Sequence, residues 1–324
     1  MEGEIIIKVT ITTPSRLHLG IVDMRGDLGR IHGSVGVAIK QPRLKIIASK
    51  NDKIAVQDGR SGRAIEFSKK ILEIYRITSG VRVEIVEDIP EHAGFGSGTQ
   101  LALAIGTAVS KLYSLDLDPK EIAVKLERSR VSGIGTHGFM EGGFIVDAGH
   151  SVNRMSEVAP VIFRRDVPED WLFVIGLPEI DKGYSGDKEQ TAFKKLKPPP
   201  SKMVAEASRL VLMKMIPSII DKDIKSFGEA MTSLDEIFGD YWIKVQGGRY
   251  SHPRIEEGVN YLLNNGALGA GQSSWGPAFY GLTEGFEQAE NLSSKLDTFL
   301  NKGENRGKSF ITGADNKGAE ITVE

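Results

Sequence analysis

Residues 90–100 limit the possible folds of this chain more than any other segment. Their glycines Gly94, Gly96 and Gly98 occupy alternate positions just before the apolar run 101–109. Glycine lets backbone N–H groups approach an anion closely, since no Cβ atom stands in the way. The apolar run predicts a buried helix, whose unpaired N-terminal N–H groups also attract an anion. The segment predicts a phosphate-binding loop or, as the alternative, a glycine-rich turn that serves only packing. The predicted contact residues are Gly94, Gly96, Ser97, Gly98, Thr99 and Gln100.

This loop departs from two common nucleotide-binding patterns. A P-loop needs lysine followed by serine or threonine at its end, where this chain has Thr99 and Gln100. The dinucleotide pattern needs a glycine three residues after Gly96, at the position of Thr99. The spacing does occur in residues 133–138, but that segment follows a predicted helix and precedes a predicted strand, the reverse of a dinucleotide loop. We therefore predict no NAD.

Length and charge narrow the class of protein. A chain of 324 residues is expected to form about two domains. With 41 basic and 43 acidic residues, its net charge of -2 favours neither nucleic acid nor an anionic membrane as partner. The absence of cysteine excludes disulfides and thiolate chemistry, and fits a reducing compartment. An acidic start, Met1 to Glu4, and the absence of a long apolar run predict a cytoplasmic protein, with a homodimer as the default assembly.

The hydrophobic patterns predict a mixture of strands and helices without strict alternation, which favours an α+β fold over a doubly wound sheet. The predicted strands are 5–11, 44–48, 81–86, 144–147, 171–175, 278–282 and 308–312. The predicted helices are 66–77, 99–113, 119–130, 201–215, 223–238, 255–264 and 285–300. The polar segment 149–157 predicts a domain boundary, which gives domains 1–155 and 156–324.

Residues 15–40 combine many charges with many glycines, an unusual composition for an ordinary loop. Guanidinium groups bind phosphate oxygens in pairs, and a carboxylate can hold a magnesium ion, so the mixture suits a polyphosphate ligand. The alternative is a charged hairpin on the surface. Asp23 and Asp27 are the candidate Mg²⁺ ligands, and His18 and His32 are candidate acids or bases, unless they are structural. The charged residues are Arg16, His18, Asp23, Arg25, Asp27, Arg30, His32 and Lys40.

Pro90, Gly94, Phe95, Gly96 and Ser97 resemble the Pro-x-x-x-Gly-Leu-Gly-Ser-Ser loop of the GHMP superfamily, with one apolar substitution. That superfamily is named for its galactokinase, homoserine kinase, mevalonate kinase and phosphomevalonate kinase members. A glycine-rich turn at 269–277 resembles its third motif. The resemblance implies an N-terminal domain like ribosomal protein S5 domain 2, in residues 1–155, and a ferredoxin-like C-terminal domain, in residues 156–324.

One departure from the kinases bears on function. GHMP kinases commonly carry a catalytic aspartate after Ser-Gly-Ile, where this chain has Gly135. A hydroxyl acceptor would meet no carboxylate there, which argues against ordinary phosphoryl transfer. The combination of segments 13–20, 29–37, 132–137 and 271–277 is instead similar to the archaeal β-ribofuranosylaminobenzene 5'-phosphate synthases. Those enzymes condense phosphoribosyl pyrophosphate with 4-aminobenzoate or 4-hydroxybenzoate, releasing CO₂ and pyrophosphate, in methanopterin biosynthesis.

That resemblance leads to a hypothesis for each candidate residue, with Mg²⁺ as cofactor and neither ATP nor NAD. Arg16 and Arg30 are assigned to pyrophosphate, and Asp23 to Mg²⁺ or the ribose hydroxyls. His32, His137 and Gln272 are the candidates for the arylamine end, with Ser273 beside them. The predicted catalytic residues are Asp23, Arg30, His32 and His137, and those outside the glycine loop predicted to bind substrate are Arg16, Gln272 and Ser273.

Two other functions remain open at this point. The chain could be an ATP-dependent kinase of a small molecule that uses Glu141 or Asp147 as its base. It could also be a catalytically inactive sensor that binds a sugar phosphate and reports to a protein partner.

Overall fold

The computed structural model describes residues 7–59, 61–180 and 197–324, and contains two sheets. Strands and helices are numbered separately in chain order. The strands of the first sheet are β1 (Lys8–Asp23), β2 (Arg30–Asn51), β3 (Ala55–Gln57), β4 (Gly80–Glu87), β5 (Phe144–Asp147), β6 (His150–Ser151), β7 (Val161–Arg165) and β12 (Glu320–Val323). The helices of this half are α1 (Ser61–Ile74), α2 (Ser97–Leu112), α3 (Pro119–Lys125) and α4 (Ile134–Glu141).

A long antiparallel hairpin of β1 and β2 forms the centre of the first sheet. β12 pairs with β1, and β4 and β5 pair with different parts of β2. The helices α2 and α4 pack against the hairpin, and α1 packs against α2. Because α2 is apolar on nearly every face, it can be buried between these neighbours, and Leu101 and Ile105 are fully covered. β7 and β12 lie after residue 155 in the chain and join this first sheet.

The second sheet has the order β11, β8, β10, β9, with every neighbouring pair antiparallel. In chain order this is the 4-1-3-2 arrangement of a ferredoxin-like β-α-β-β-α-β unit, as the resemblance implied. Its strands are β8 (Trp171–Pro178), β9 (Gly269–Gln272), β10 (Phe279–Glu284) and β11 (Gly307–Gly313). The helices of this half are α5 (Ser201–Leu210), α6 (Ile216–Asp221), α7 (Ile224–Gln246), α8 (Pro253–Asn264) and α9 (Phe286–Leu300), and a π-helical turn, Val211–Met215, joins α5 to α6.

The long helix α7 connects the two halves, since it packs on β9 of the second sheet and on β1 of the first. It lies against β9 without intervening side chains at Gly228 and Gly269. A Cβ atom built on Gly228 would meet the Leu268 carbonyl oxygen well under 3.0 Å away, a distance that real Cβ atoms do not reach. This close contact fixes the position of α7, which forms one wall of a cleft between the two halves.

Gly228→Ala is therefore expected to destabilise the protein by about 1–3 kcal/mol through overpacking. Gly62→Ala is the matched control, because no atom lies within 4 Å of a Cβ built there, and alanine favours a helix over glycine by about 1 kcal/mol. Urea unfolding of both variants measures the difference. An unchanged midpoint for Gly228→Ala would contradict the tight contact between α7 and β9.

Most sequence-based elements are confirmed, and several bounds are wrong. The helix predicted at 119–130 ends at Lys125, and Glu127 and Ser129 beyond it have left-handed φ angles of 57° and 59°. Sequence reasoning missed α4, because Gly135 and Gly138 within it favour loops. The helices predicted at 201–215 and 223–238 continue to Asp221 and Gln246.

Residues 15–40 form most of the β1 and β2 hairpin, although strands were predicted only on either side of them, at 5–11 and 44–48. The strand predicted from residue 5 begins at Lys8, and residues 1–6, including the acidic start, lie outside the described part of the chain. Within the described ranges, no helix combines the length and apolar character needed to cross a bilayer.

Candidate active site

A cleft of about 460 Å³ lies between the two halves of the molecule. One wall consists of β1, α1 and the segment 126–132, and the other consists of α7, the loop that follows it and the turn after β9. On α1 the cleft residues follow helical spacing, i, i+3, i+4 and i+7, and the same spacing recurs on α7. The lining residues of α1 are Arg63, Glu66, Phe67 and Lys70, and those of α7 are Asp235, Phe238, Gly239, Trp242 and Gln246.

The glycine loop borders this cleft, and each of its three alternate glycines makes room for a different partner. A Cβ on Gly94 would press on the Ser273 carbonyl oxygen, and one on Gly96 would lie 3.2 Å from Cγ of Arg16. A Cβ on Gly98 would lie 2.5 Å from Nη2 of Arg63. Gly94 and Gly96 also have left-handed φ angles of 94° and 75°. The glycine spacing therefore brings two guanidinium groups and the turn after β9 against the loop.

Hydrogen bonds join the loop to β1 and to the turn after β9. The Gly94 carbonyl accepts from the Arg16 guanidinium and, at 2.7 Å, from the Ser273 hydroxyl. The Arg16 amide donates to the Phe95 carbonyl at 3.1 Å. The Ser273 hydroxyl oxygen in turn accepts from the His18 amide at 3.0 Å. Three sequence segments that are far apart in the chain are thus held together at one edge of the cleft.

The remaining predicted loop residues differ in their exposure to the cleft. Thr99 lines it, whereas Ser97 is buried in the first turn of α2. Gln100 is completely buried, and its amide nitrogen donates to the Gly135 carbonyl at 2.8 Å, which joins α2 to α4. The structure therefore places Gln100 beneath the loop.

Positive charge dominates the lining, which contains six cationic and three acidic side chains. Some of the cations are paired: Lys70 and Arg130 both contact Glu127, at 2.8 and 3.0 Å. Burial and the nearby Arg16 lower the pKa of His18 to about 3, so this histidine adds no charge at neutral pH. The charged lining residues are Arg16, Arg63, Lys70, Arg128, Arg130, Arg249, Glu66, Glu127 and Asp235. An excess of cations in a cleft suits an anionic ligand.

The α7 side of the cleft is aromatic. The rings of Trp242 and Trp275 meet edge to face, with centroids 5.0 Å apart, and Phe238 and Tyr250 complete the set. Flat apolar rings of this kind favour a planar ligand.

Asp235 is the single acid among the lining residues of α7, and it lies among these rings. Its Oδ1 atom accepts a hydrogen bond from the Gln272 amide at 3.1 Å. Burial raises the pKa of Asp235 to about 7, although the hydroxyl of Tyr250 and the Gln272 amide act in the opposite direction. The Gln272 side chain donates to the Ser251 hydroxyl at 2.6 Å and to the Gly276 carbonyl at 2.7 Å, and so fixes the loops on both sides.

Four other predicted site residues lie around the far end of the hairpin and do not line the cleft. Arg30 donates to the carbonyls of Ala148 and Gly149, at 2.8 and 2.6 Å. These contacts tie the hairpin to the chain that follows β5. The four residues are Asp23, Arg30, His32 and His137, and their functional assignments remain predictions.

The two histidines of this group are largely buried. The His32 ring faces His150, with centroids 6.0 Å apart, and burial lowers the pKa of His32 to about 4. The His137 Nε2 atom lies 2.7 Å from the Ala159 carbonyl oxygen, and burial lowers the pKa of this ring as well. Both imidazoles are expected to be neutral near pH 7.

The carboxylates proposed for Mg²⁺ are engaged within the hairpin. Oδ1 of Asp23 accepts from the amides of Arg25 and Gly26, at 2.5 and 3.3 Å, and Asp27 pairs with the Arg25 side chain at 2.7 Å. In residues 7–59, 61–180 and 197–324 no three histidine or acidic side chains come together in a way that would hold a metal ion. Asp23 and Asp27 do not line the cleft, and the assignment of Mg²⁺ stays a prediction.

Glu141 and Asp147, the bases suggested for a kinase, do not line the cleft. Gly135, which occupies the position of the catalytic aspartate of GHMP kinases, packs on α2, and a Cβ there would lie 3.2 Å from the Thr99 side chain. Glu141 is exposed at the end of α4. The buried Asp147 carboxylate accepts from the amides of Ser34, Gly133 and Gly149, at 3.0, 2.9 and 2.8 Å, and so joins three segments. Burial raises the pKa of Asp147 to about 6 despite these bonds.

Comparisons with known families agree with this fold. Residues 62–141 match the GHMP kinases N terminal domain and residues 215–302 the GHMP kinases C terminal family. The homoserine kinase structure of Cytophaga hutchinsonii superimposes with a TM-score of 0.70 at 16% identity, covering 97% of both chains. The mevalonate diphosphate decarboxylase of Staphylococcus aureus gives 0.68 at 14%, covering 98% of both. At such low identities these two structures show a shared fold.

Two curated relatives are much more similar in sequence, and both are named beta-ribofuranosylphenol 5'-phosphate synthase. The protein of Methanothermobacter thermautotrophicus is 34% identical, covering 97% of this chain and 98% of its own length. The protein of Methanocaldococcus jannaschii is 32% identical, covering 96% and 99%. The family predicted from the sequence motifs is thereby confirmed. The chain belongs to the β-ribofuranosylphenol 5'-phosphate synthases, a family of enzymes with the GHMP kinase fold.

Proposed function

We propose that this enzyme transfers the 5-phosphoribosyl group of phosphoribosyl pyrophosphate to the carboxylate-bearing carbon of a para-substituted benzoate. CO₂ and pyrophosphate are the other products, and the acceptor is 4-hydroxybenzoate or 4-aminobenzoate. The observation that carries the proposal is the two-sided cleft, with arginines and a glycine loop on one side and aromatic rings on the other. An anionic donor and a planar acceptor need these two surfaces. The names of the two relatives, which specify a phenol, favour 4-hydroxybenzoate.

The residues of the cleft fit the chemistry of such a transfer. Loss of pyrophosphate from ribose C1 leaves a centre with oxocarbenium character, while negative charge develops on the leaving group. Arg16, Arg63 and the amides of the glycine loop are the groups that stabilise this charge. The acceptor ring, made electron-rich by its para substituent, attacks C1, and loss of CO₂ restores its aromaticity. This route requires no enzyme nucleophile, which agrees with a chain that contains no cysteine.

Mg²⁺ belongs to this proposal as an ion carried by the pyrophosphate of the donor, where it would neutralise part of the phosphate charge. The chain itself binds, orients and desolvates the two substrates. A place in methanopterin biosynthesis, a cytoplasmic location and a homodimer complete the proposal.

The test is to incubate the protein with phosphoribosyl pyrophosphate, Mg²⁺ and carboxyl-labelled 4-hydroxybenzoate or 4-aminobenzoate, without ATP. We expect labelled CO₂ that appears only when the donor is present. The absence of label from both acids, together with ADP formation from ATP and a hydroxylated metabolite, would replace the proposal with a kinase. Donor binding without turnover of any acceptor would replace it with a sensor.

A further inference from the structure

We propose that Asp235 is the base that receives the para hydroxyl proton of the acceptor and thereby distinguishes 4-hydroxybenzoate from 4-aminobenzoate. The inference rests on the proposed function, and it assigns the α7 side of the cleft to the acceptor. The sequence gives this residue no obvious role, since it lies on a helix outside every glycine-rich segment.

Asp235 lies among aromatic rings at the wall of the cleft. It shares one face of α7 with Phe238 and Trp242, and Tyr250 and Trp275 line the same cleft from other segments. A benzoate ring is planar and apolar on both faces, so this surface suits it better than the cationic α1 side does. A carboxyl group among these rings would face a polar substituent at the edge of the bound benzoate, such as its para hydroxyl.

Hydrogen bonds hold the Asp235 carboxyl group in place at the wall of the cleft. Oδ1 accepts from the Gln272 amide at 3.1 Å, and the Tyr250 hydroxyl also donates to the carboxyl group. A carboxylate fixed by these donors beside the cleft is in position to accept the proton of a ligand hydroxyl. Gly271 is needed for this arrangement, because a Cβ there would lie 2.8 Å from Cγ of Asp235 and 2.9 Å from the Tyr280 hydroxyl.

The proton transfer balances over the whole reaction. As the ring forms its bond to ribose C1, the bond from C1 to pyrophosphate breaks, and the para O–H gives its proton to Asp235. The ring is then a dienone that still carries its carboxylate. Breaking the bond to that carboxylate releases CO₂ and returns the electron pair to the ring, whose phenolate oxygen recovers the proton from Asp235. An amino substituent donates electrons without losing a proton, so 4-aminobenzoate depends less on the base.

The surroundings of Asp235 suit a base that works near neutral pH. Its pKa of about 7 results chiefly from burial, with opposing contributions from Tyr250 and the Gln272 amide. Glu236 on the same helix raises the pKa, and Arg249 lowers it. From β10 the Tyr280 hydroxyl faces the carboxyl group. His18 and Arg16 of β1 line the same cleft. Near neutral pH His18 is uncharged and Arg16 carries a positive charge.

Asp235→Asn tests the inference, because it keeps the shape of the side chain and removes the base. We expect kcat/KM for 4-hydroxybenzoate to fall by about 100-fold and that for 4-aminobenzoate by less than about 10-fold. The Kd of pyrophosphate, measured by calorimetry, is expected to stay within about twofold, since the donor contacts lie elsewhere. Glu229→Gln is the matched control, because that carboxylate is exposed on α7 and pairs with Lys214 outside the cleft.

Tyr250→Phe is a second test variant, and the measurement is the pH dependence of kcat/KM for 4-hydroxybenzoate. This pH dependence would not shift if Asp235 had only a structural role. Wild-type kcat/KM for 4-hydroxybenzoate is expected to decline as the pH falls below about 7, because protonated Asp235 is no base. Removing the Tyr250 hydroxyl, which lowers this pKa, should shift the decline to higher pH, and Asp235→Asn should abolish it.

The outcomes separate this inference from the proposed function. Unchanged turnover in Asp235→Asn, or equal losses with both acceptors, would overturn the role of Asp235 while the wild-type enzyme still released CO₂. If Asp235→Asn does not fold, an unshifted pH profile in Tyr250→Phe would overturn it instead. A wild-type enzyme that released no CO₂ with either acid would reject the proposed function and this inference with it.

Discussion

Gly94→Ala is expected to lower kcat/KM for the ribosyl donor by at least about 100-fold, the effect of a misplacement of roughly 1 Å in a binding site. Gly94 has a φ of 94°, and a Cβ there would collide with the Ser273 carbonyl oxygen. Adding the side chain strains the backbone by about 1–3 kcal/mol and pushes the loop away from the turn after β9. Because the Gly94 carbonyl accepts from Arg16 and Ser273, both contacts move with it.

Gly98→Ala is the matched comparison within the same loop. Its φ is not left-handed, and the new Cβ would meet Nη2 of Arg63, the mobile end of a long side chain, at 2.5 Å. Arg63 can turn aside, but this weakens a contact that is proposed for pyrophosphate, so we expect a loss of about 10-fold, smaller than that of Gly94→Ala because the loop backbone keeps its conformation. Steady-state kinetics with varied donor concentration measures both variants. Equal effects of the two substitutions would show that the contact between loop and turn has no special importance.

The sequence was a good guide to the fold because its patterns arise from local physics. The apolar run 101–109 had to be a buried helix, and Asp118 with Pro119 marked the start of α3, where the Asp118 side chain accepts from the Lys120 amide at 2.6 Å. The bounds failed where tertiary contacts override local preference. Glycines within α4 favour a loop in isolation, but Gly135 gains close packing on α2.

The candidate site was only partly predictable. The loop of three alternate glycines lies at one edge of the cleft, where its residue Thr99 contributes to the lining, and its phosphate contacts stay a prediction. The cations of α1 were missed, although Arg63, Glu66, Phe67 and Lys70 have the spacing of one helical face. Nothing in the sequence says which polar face of a helix meets solvent and which meets a cleft. That depends on where the second domain packs, which is a tertiary property.

The charged hairpin illustrates the same difficulty. Its residues were grouped because they are close in sequence, yet in a β-strand they alternate between faces and extend about 3.3 Å per residue. Arg16 and His18 therefore line the cleft, whereas Asp23 lies further along β1 and Arg30 contacts the chain after β5. Pyrophosphate titration of Arg30→Ala tests the sequence-based assignment of Arg30. Weaker binding would support it, and unchanged binding with a lower unfolding temperature would leave Arg30 a role in holding the hairpin.

Arg16→Ala is expected to lower kcat/KM for the donor by about 100-fold to 1000-fold, the usual effect of removing a donor that stabilises developing negative charge. The guanidinium donates to the Gly94 carbonyl and lines the cleft, and its stem runs beside Gly96. Arg16→Lys keeps the charge but not the paired donors, so it should restore part of the loss. Pyrophosphate affinity is expected to weaken in the same order.

Arg43→Ala is the matched control for Arg16, because it removes an arginine from β2 that pairs with Glu87 at 2.7 Å outside the cleft. Because Arg43 lies outside the cleft, the donor kinetics of Arg43→Ala should remain at the wild-type level. The variant should also stay folded, since exposed ion pairs contribute about 1 kcal/mol or less to stability. Calorimetric titration with pyrophosphate and steady-state assays on all three variants decide the matter. Wild-type pyrophosphate affinity in Arg16→Ala would mean that the anion binds elsewhere, and would move the donor site away from the glycine loop.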